Sequence, residues 1–402
     1  MARSRVDIGD MVTDPFGALR RARQASWIAD ADESAVAVLR HQAVRELLTD
    51  DRLRSSFTDF LQAMGVTSGP FYEWMAISPL NRDGADHQRW RALMSRTFTP
   101  RSVERLRPFL QQSAHELIDA FAARGRCEFM AEFADAFPSL GLCELIGVPR
   151  EDRERFRGWA NTIGLGFNPL DIAARIGEID AALAHLLDYT GALAAARRTA
   201  PRDDLVSRIA AAADEEGGWS DFEVQGYIAG LVFAGHETTK NQLGWMIAVL
   251  AERPQVWSAL ADGTLEVAAV IEEVLRYRSA ATAVGRRVEQ PLERDGVRLE
   301  AGTRVFLSLW SADHDEAVFP RADELAPVEN AVAPHIAFGH GPHHCIGAAL
   351  ARAELQEALA ALTARIGCPV VEEGAVWTPP IGINGPERLP IAFTLRGTPP
   401  SL

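Results

Sequence analysis

The spacing of apolar residues divides the chain into a long helical part and a shorter part rich in strands. From Asp86 to Leu260, apolar residues recur every three or four positions, which predicts successive amphipathic helices. After Tyr277 the pattern changes, and Val288–Leu299 and Thr303–Trp310 are predicted as strands. The other predicted elements are strands at Ala25–Ala29 and Ala35–Leu39, helices at His41–Thr49 and from Ala348 to about Ala364, and a β-hairpin region at Val370–Leu395. Without a linker or repeat, residues 1–402 are expected to form one large, mainly α domain with a small β-sheet region.

One predicted helix has an unusual centre. Ser220 and Glu223 form a capping box at its start, and the helical pattern continues towards Pro254. The middle reads Ala234-Gly235-His236-Glu237-Thr238-Thr239, where glycine and β-branched residues are poor helix formers. This composition predicts a local distortion beside an acid and two hydroxyl groups. The alternative, a close helix crossing that requires small residues, stays open at this point.

A glycine-rich loop, Phe338–Gly347, contains Cys345 and three histidines. Its glycines would let the backbone turn tightly and direct N–H groups at the sulfur. The helix that follows Cys345 is expected to lower the pKa of the thiol through its positive N-terminal end. Phe338 is spaced to pack against the loop and exclude water. The segment therefore predicts a cysteine thiolate that ligates a metal.

Three other interpretations of this loop are weaker. Gly339-His340-Gly341 is similar to the start of a dinucleotide-binding loop, but the third glycine is missing. His340, His343, His344 and Cys345 could bind zinc, although no second ligand pair stands at the usual spacing. A buried cysteine without function would not account for the glycines. The other three cysteines are interpreted as small buried hydrophobic residues.

Composition limits the classes of function. The chain has 55 acidic and 41 basic residues and a net charge of −14, which argues against nucleic-acid binding. No run of about 18 apolar residues occurs, so no membrane span is expected. The first seventeen residues alternate charged with apolar positions and lack the apolar core of a signal peptide. We therefore expect a cytoplasmic protein.

The cysteine loop resembles the signature of the cytochrome P-450 family. It matches at Phe338, Gly341, His343, Cys345 and Gly347. The resemblance implies the P-450 fold, with haem b between the long central helix and the helix after the cysteine loop. It also implies that Cys345 is the axial ligand of the haem iron.

Further segments match the same family in the expected order. Glu273 and Arg276 match its Glu-x-x-Arg element, and His87 and Arg91 match its His-x-x-x-Arg element. The resemblance assigns cofactor binding to His87, Arg91, Arg286, His343, Phe338, Gly339, Ala234 and Gly347.

Two departures from the family pattern stand out. Asp83-Gly84-Ala85-Asp86 occupies a position where prolines are usual. Glu329 and Asn330 occupy the place where the family normally has an arginine that joins the Glu–Arg pair. The cluster is therefore expected to be incomplete, or completed by Arg321 or His314.

The resemblance implies a monooxygenase that uses dioxygen and two electrons. Thr238 would hold the oxygen-derived group and an ordered water, and Glu237 would relay protons from solvent. Electrons would come from a ferredoxin and a ferredoxin reductase, and a monomer is expected. A basic face for the ferredoxin is suggested at Arg96, Arg101, Arg105 and Arg352. A catalytically silent relative would be expected to lose Cys345 or the Glu237–Thr238 pair.

The substrate is expected to be a bulky, mostly apolar small molecule such as a natural-product intermediate, steroid or terpenoid. Hydroxylation is the expected reaction, with epoxidation or coupling left open. The resemblance places pocket residues at Ala229, Phe233, Thr282 and Ile383. The lining segments would be Leu61–Ile77, Ile163–Leu170, Ala229–Phe233, Ala280–Val284 and Ile381–Asn384.

Overall fold

A computed structural model describes residues 4–168 and 172–396 of the chain. The helices are α1 (Ile8–Thr13), α2 (Pro15–Ala25), α3 (His41–Leu47), α4 (Phe57–Ala63), α5 (Pro70–Ile77), α6 (Gly84–Thr97), α7 (Pro100–Ala122), α8 (Ala136–Ile146), α9 (Arg153–Gly164), α10 (Ile172–Thr199), α11 (Leu205–Glu216), α12 (Asp221–Ala251), α13 (Pro254–Ala261), α14 (Val267–Tyr277), α15 (Leu309–Asp313) and α16 (Ala348–Arg365). Short 3₁₀ turns lie at Pro79–Asn81, Arg150–Asp152, Leu165–Phe167 and Gly341–His343, and a π-helical turn lies at Met130–Ala134. The architecture is mainly α, as predicted.

The strands form four small sheets. They are β1 (Ile28–Asp30), β2 (Ala35–Val38), β3 (Leu53–Ser55), β4 (Arg126–Glu128), β5 (Ala283–Val288), β6 (Leu292–Arg294), β7 (Val297–Leu299), β8 (Arg304–Ser308), β9 (Val370–Val371), β10 (Val376–Trp377), β11 (Pro386–Arg388) and β12 (Pro390–Ala392). The largest sheet has the order β1-β2-β8-β5-β3, in which only β2 and β8 pair in parallel. The smaller sheets are β4-β12-β9, β6-β7 and β10-β11.

Several strand boundaries differ from the predictions. The predicted strand Ala25–Ala29 begins inside a helix, because α2 continues to Ala25 and β1 starts only at Ile28. Val288–Leu299 contains a pair of short strands, β6 and β7, while its first residue ends β5. The predicted strand Thr303–Trp310 stops at Ser308, whose side chain caps α15. These strands are short, so turn chemistry sets their ends more than the alternation of apolar residues does.

The central helix α12 runs unbroken over 31 residues. The predicted capping box is confirmed, since the Ser220 and Glu223 side chains each accept the other residue's backbone N–H. Every residue of α12 is α-helical, so the helix is not interrupted at its centre, and the local distortion stays a prediction. Its glycines instead permit close packing: a Cβ on Gly235 would lie 2.9 Å from Leu142 Cδ2, and one on Gly244 would lie 2.5 Å from Pro386 Cγ. The alternative of a close helix crossing is therefore supported at these two glycines.

The helix after the cysteine loop, α16, packs against α7, α12 and α14 within the largest hydrophobic core. It therefore fixes the position of Cys345 relative to α12. The two helices meet where Glu354 of α16 lies beside Thr239 of α12. Within the described ranges, no helix combines the length and the apolar character required to cross a membrane.

Candidate active site

The cysteine loop is closed by its own backbone. The Cys345 N–H donates to the Phe338 carbonyl oxygen at 2.9 Å. Gly339 and Gly341 have φ values of +71° and +73°, which side-chain-bearing residues rarely adopt. A Cβ on Gly341 would also lie 2.4 Å from Thr49 Cγ2. The turn therefore requires glycine at these positions, as the loop sequence predicts.

Opposing effects act on the Cys345 thiol. Burial raises the pKa of this thiol, while the backbone N–H groups of Gly347 and Ala348 and the guanidinium groups of Arg91 and Arg352 act to lower its pKa. The predicted N–H donors at the start of α16 are therefore present. These donors act to lower the pKa of the thiol, as expected, while burial acts in the opposite direction and is the larger effect.

Residues with accessible surface occur at Cys345 and at the centre of α12. Cys345 keeps accessible surface, although burial is the largest influence on the pKa of its thiol. On α12, Ala234 is exposed and Thr238 is half-buried, while Phe233 and His236 are buried. Accessible residues at the centre of a buried helix and at a buried loop indicate a cavity that a large flat group could fill.

Arg286 supplies an unpaired cation beside this region. It is buried, and its Nη1 donates to the Gly285 carbonyl at 2.9 Å. Its Nη2 is buried without a hydrogen-bond partner among the described residues. Burial lowers the pKa of Arg286, and only the charge of Asp83 opposes this shift. A buried guanidinium group with a free donor is suited to bind a carboxylate.

The other three predicted propionate partners lie in the same region. The His87 and His343 rings are 3.9 Å apart, and His343 Nε2 lies 2.8 Å from Asp83 Oδ1. Burial, His343 and Arg91 lower the pKa of His87 to about 4. The structure thus brings together His87, Arg91, Arg286 and His343, a donor set that fits a cofactor with two carboxylates.

Asp83 is a functional neighbour that the sequence interpretation missed. It was noted only as a departure from a proline-containing pattern, yet it also accepts the Ser55 backbone N–H at 2.7 Å. Burial opposes ionisation of Asp83, but His343, the Ser55 N–H and Arg286 together lower its pKa. An Asp directly before a helix start was the available signal.

Glu237 and Thr238, the predicted acid and alcohol, form hydrogen bonds to different groups. The Thr238 hydroxyl donates to the Ala234 carbonyl oxygen at 2.7 Å. Glu237 Oε2 lies 2.6 Å from Lys240 Nζ, and Glu237 Oε1 accepts from Asn241 Nδ2 at 2.8 Å. Lys240 and Asn241 were not predicted, although their spacing of three and four residues from Glu237 on one helix could have indicated them.

The Glu273–Arg276 pair is buried and complete. Arg276 donates to both carboxylate oxygens of Glu273 at 2.8 Å. Asn330 Nδ2 donates to Glu273 Oε1 at 2.7 Å and so takes the place of the expected arginine. The expectation that Arg321 or His314 completes the cluster is wrong, because the Arg321 side chain pairs with acids at the surface and His314 bonds elsewhere.

Aromatic residues line the predicted substrate region. Ala229 and Phe233 are buried on α12, and the Phe233 ring stacks on Phe167 at 4.1 Å. Phe167, which was not singled out from the sequence, also contacts the rings of Phe57 and Phe71.

The two other predicted pocket residues, Thr282 and Ile383, lie on two segments that contact each other. Thr282 is buried, and its hydroxyl donates to the Gly382 carbonyl at 3.2 Å. Ile383 is half-buried and forms a β-bridge with Ala281. Residues 169 and 170 of the predicted lining segment lie outside the described residues.

The structure also bears on two other expectations, the zinc site in the cysteine loop and the basic face for a ferredoxin. The ranges 4–168 and 172–396 contain no group of three His, Cys, Asp or Glu side chains arranged to hold a metal ion. Of the four arginines suggested to bind a ferredoxin, Arg352 is close enough for its charge to oppose the rise in the pKa of Cys345. Its guanidinium carbon lies 4.6 Å from the centre of the Phe338 ring. Arg352 also forms a two-point ion pair with Glu272. The remaining three, Arg96, Arg101 and Arg105, are exposed.

Comparison with known proteins gives consistent matches. Residues 266–380 match the family model described as Cytochrome P450. The chain is 35% identical over 376 residues to luteothin monooxygenase of Streptomyces thioluteus, covering 92% of this chain and 91% of that protein. It is 34% identical over 390 residues to mycinamicin IV hydroxylase/epoxidase of Micromonospora griseorubida, covering 94% of each. The structure of CYP109Q5 from Chondromyces apiculatus superimposes with a TM-score of 0.87 at 29% identity, covering 98% of this chain and 99% of that one.

Proposed function

Since this chain belongs to the cytochrome P450 family and is a monooxygenase with haem b as its cofactor, we propose that it oxidises a bulky, mostly apolar natural-product intermediate with electrons from a ferredoxin. The observation that carries the residue assignments is the joint arrangement of Cys345, the accessible centre of α12 and the unpaired guanidinium group of Arg286.

The residues around the cavity fit haem b. Cys345 would ligate the haem iron, and the N–H groups of Gly347 and Ala348 would stabilise its thiolate. His87, Arg91, Arg286 and His343 would bind the two propionates, and Phe338, Gly339, Ala234 and Gly347 would contact the macrocycle or shape the loop beneath it. When bound, a haem with a thiolate ligand supplies oxygen activation by favouring O–O cleavage.

Thr238 and Glu237 would deliver protons. The Thr238 side chain is half-buried, and Ala234, one helical turn before it, is exposed. The hydroxyl therefore lies on the accessible part of the α12 surface. Once released from the Ala234 carbonyl, the hydroxyl can hold an ordered water through a new hydrogen bond. Glu237, with a side chain 15% exposed, would move protons between solvent and that hydroxyl.

The lining of the cavity favours an apolar substrate. The Phe167 ring contacts three other aromatic rings, those of Phe57, Phe71 and Phe233. Such walls bind a ligand through buried apolar area, and a few polar groups then set its orientation. The names of the relatives luteothin monooxygenase and mycinamicin IV hydroxylase/epoxidase support a natural-product intermediate and leave hydroxylation and epoxidation as alternatives.

Electron delivery would use the side of the molecule on which Arg352 lies. Arg352 contacts Phe338 of the cysteine loop, and its charge opposes the rise in the pKa of the Cys345 thiol that burial causes. A chain with a net charge of −14 requires a locally basic surface to attract an acidic ferredoxin. Charge reversal at exposed Arg101 is expected to slow reduction by ferredoxin at low salt. The matched control is charge reversal at Arg20 of α2, which pairs with Asp323.

The first experiment is the absorption spectrum of the dithionite-reduced protein with carbon monoxide. A strongly red-shifted Soret band in the unsubstituted protein, lost in Cys345→His, is expected for thiolate ligation. A band typical of histidine ligation in the unsubstituted protein would contradict the assignment of Cys345. Product formation from an apolar candidate substrate, measured with a ferredoxin and its reductase, separates the enzyme from a silent relative.

A further inference from the structure

The ring of Phe167 lies where four of the predicted lining segments meet. It stacks on the Phe233 ring of α12, with ring centroids 4.1 Å apart and an interplanar angle of 14°. The Phe71 ring of α5 stands at 89° to it, with centroids 6.1 Å apart. The turn near the C-terminus reaches the same residue, since a Cβ on Gly382 would lie 2.8 Å from the Phe167 carbonyl oxygen. Phe167 is therefore enclosed by elements that are distant from one another in the chain.

Neighbouring groups fix both the backbone and the plane of this ring. A Cβ on Gly166 would lie 2.4 Å from Cζ of the fully buried Phe71, so the 3₁₀ turn that carries Phe167 packs directly on that ring. The Phe57 ring lies on another side, with centroids 4.9 Å apart and an interplanar angle of 40°. Three rings at different angles thus define the plane of the Phe167 ring before any ligand binds.

Part of the Phe167 ring remains uncovered. Phe233 is 4% exposed, whereas Phe167 and Phe57 are half-buried. Of these two, Phe167 is the one whose ring contacts α12. Directly after Phe233 on α12, Ala234 is exposed, and Thr238 follows one helical turn later. The accessible surface of Phe167 therefore adjoins the accessible part of α12.

The first charged residue after Phe233 on α12 is already paired. Glu237 lies 2.6 Å from Lys240 Nζ and accepts from Asn241 Nδ2 at 2.8 Å. Its negative charge is balanced within the same helix and does not call for a cationic ligand. Phenylalanine rings attract a cation only weakly, so this surrounding favours a neutral group.

We propose that Phe167 is a specificity-determining residue, and that its ring is a stacking surface for a flat, neutral, unsaturated group of the substrate, such as an aromatic ring or a conjugated chain. A flat group can lie in full contact with a ring whose plane is fixed, and its π-system also interacts favourably with the neighbouring rings. A saturated ring is puckered and touches the same surface with fewer atoms. This inference rests on the proposed function and narrows its substrate class.

Two imidazoles that differ only in their terminal ring test this preference, 1-(4-phenylbutyl)imidazole and 1-(4-cyclohexylbutyl)imidazole. The four-carbon chain separates the ring from the imidazole, so both probes bind the haem iron alike while the ring finds its own position. Their dissociation constants are measured from the Soret shift of the haem-loaded protein. Phe167→Leu is expected to lower the preference for the phenyl probe by about three- to tenfold relative to the unsubstituted protein. Because each preference is a ratio within one protein, the difference in hydrophobicity between the probes cancels.

Further variants separate stacking from other effects. Phe222→Leu is the matched control and should leave the preference unchanged, because Phe222 lies on the first turn of α12 and is 38% exposed. Phe167→Tyr keeps a flat ring and should retain the preference. Phe167→Met, which fills space without a flat face, replaces Phe167→Leu if that variant does not retain haem.

Three results would overturn the inference. The first is an unchanged preference in Phe167→Leu or in the methionine variant that replaces it. The second is an equal loss of preference in Phe222→Leu, which would show that the effect does not depend on the cluster. The third is tighter binding of 1-(4-trimethylammoniobutyl)imidazole than of the phenyl probe, which would indicate a site for a cation. Failure of the proposed function is distinguishable, because the unsubstituted protein would then lack the thiolate-type carbon monoxide spectrum and show no Soret shift with either probe.

Discussion

Replacement of Asn330 by alanine is expected to destabilise the fold without altering the cysteine loop. The Asn330 side chain, 2% exposed, forms a 2.7 Å hydrogen bond to Glu273, a 3.0 Å bond to the Arg321 carbonyl and a longer one to the Glu324 carbonyl, and it accepts the Arg321 N–H at 2.9 Å. A hydrogen bond to a buried charge contributes about 1.5–3 kcal/mol, and each neutral one about 1 kcal/mol. Because such contributions are not additive, we expect a loss of about 3 kcal/mol in the free energy of unfolding.

Urea unfolding followed by far-ultraviolet circular dichroism measures this loss. At an unchanged slope, the midpoint is expected to fall by about 0.5–1 M. Glu329→Ala is the matched neighbour, because its exposed pair with Arg321 should contribute little. A midpoint in Asn330→Ala equal to that of Glu329→Ala would refute the conclusion that Asn330 completes the buried cluster.

Two further substitutions test the chemistry of this position. Asn330→Asp keeps the shape but places an anionic oxygen beside Glu273 Oε1, so it should cost more than alanine at neutral pH. Lowering the pH should reduce that cost, because protonation of one carboxyl removes the repulsion and restores a donor. Asn330→Arg is expected not to restore stability, since arginine has no acceptor for the Arg321 N–H and this site is buried.

Three other predictions concern the cofactor site, proton delivery and a buried acid. Arg286→Leu should leave the fold intact but weaken haem retention by about tenfold or more, because a haem carboxylate loses its buried partner. Retention is measured as the Soret absorbance that remains per amount of protein after competition with apomyoglobin. Unchanged retention would show that Arg286 does not bind a propionate. Thr238→Ala should retain haem but lower the product formed per electron consumed, and equal coupling would contradict its role in proton delivery. Burial raises the pKa of Asp313 from 3.8 to about 7, so the folded state favours its protonated form and stability falls as the pH rises from about 4 to about 7. Asp313→Asn should therefore stabilise the protein by a few kcal/mol above pH 7 and by progressively less towards pH 4, as measured by urea unfolding at each pH, and a gain independent of pH would contradict this.

The sequence by itself determined the helical class, the capped start of α12 and the residues of the cysteine loop. These features depend on local rules: apolar periodicity, the reach of Ser220 and Glu223 across one turn, and the glycine backbone conformations at Gly339 and Gly341. The resemblance of short motifs then indicated the family, because each motif lies within a few residues of chain. None of these conclusions required contacts between distant segments.

Only the tertiary structure decided which residues complete each site. Asn330 replaces an arginine because its amide reaches Glu273, 57 residues away in sequence. Asp83 joins His343 across 260 residues, and Lys240 meets Asn161 of another helix. The close packing at the glycines of α12 could not be recognised from the sequence, because Leu142 and Pro386, which pack against them, are distant in the chain. The burial that opposes the N–H donors at Cys345 likewise depends on every element packed around that thiol.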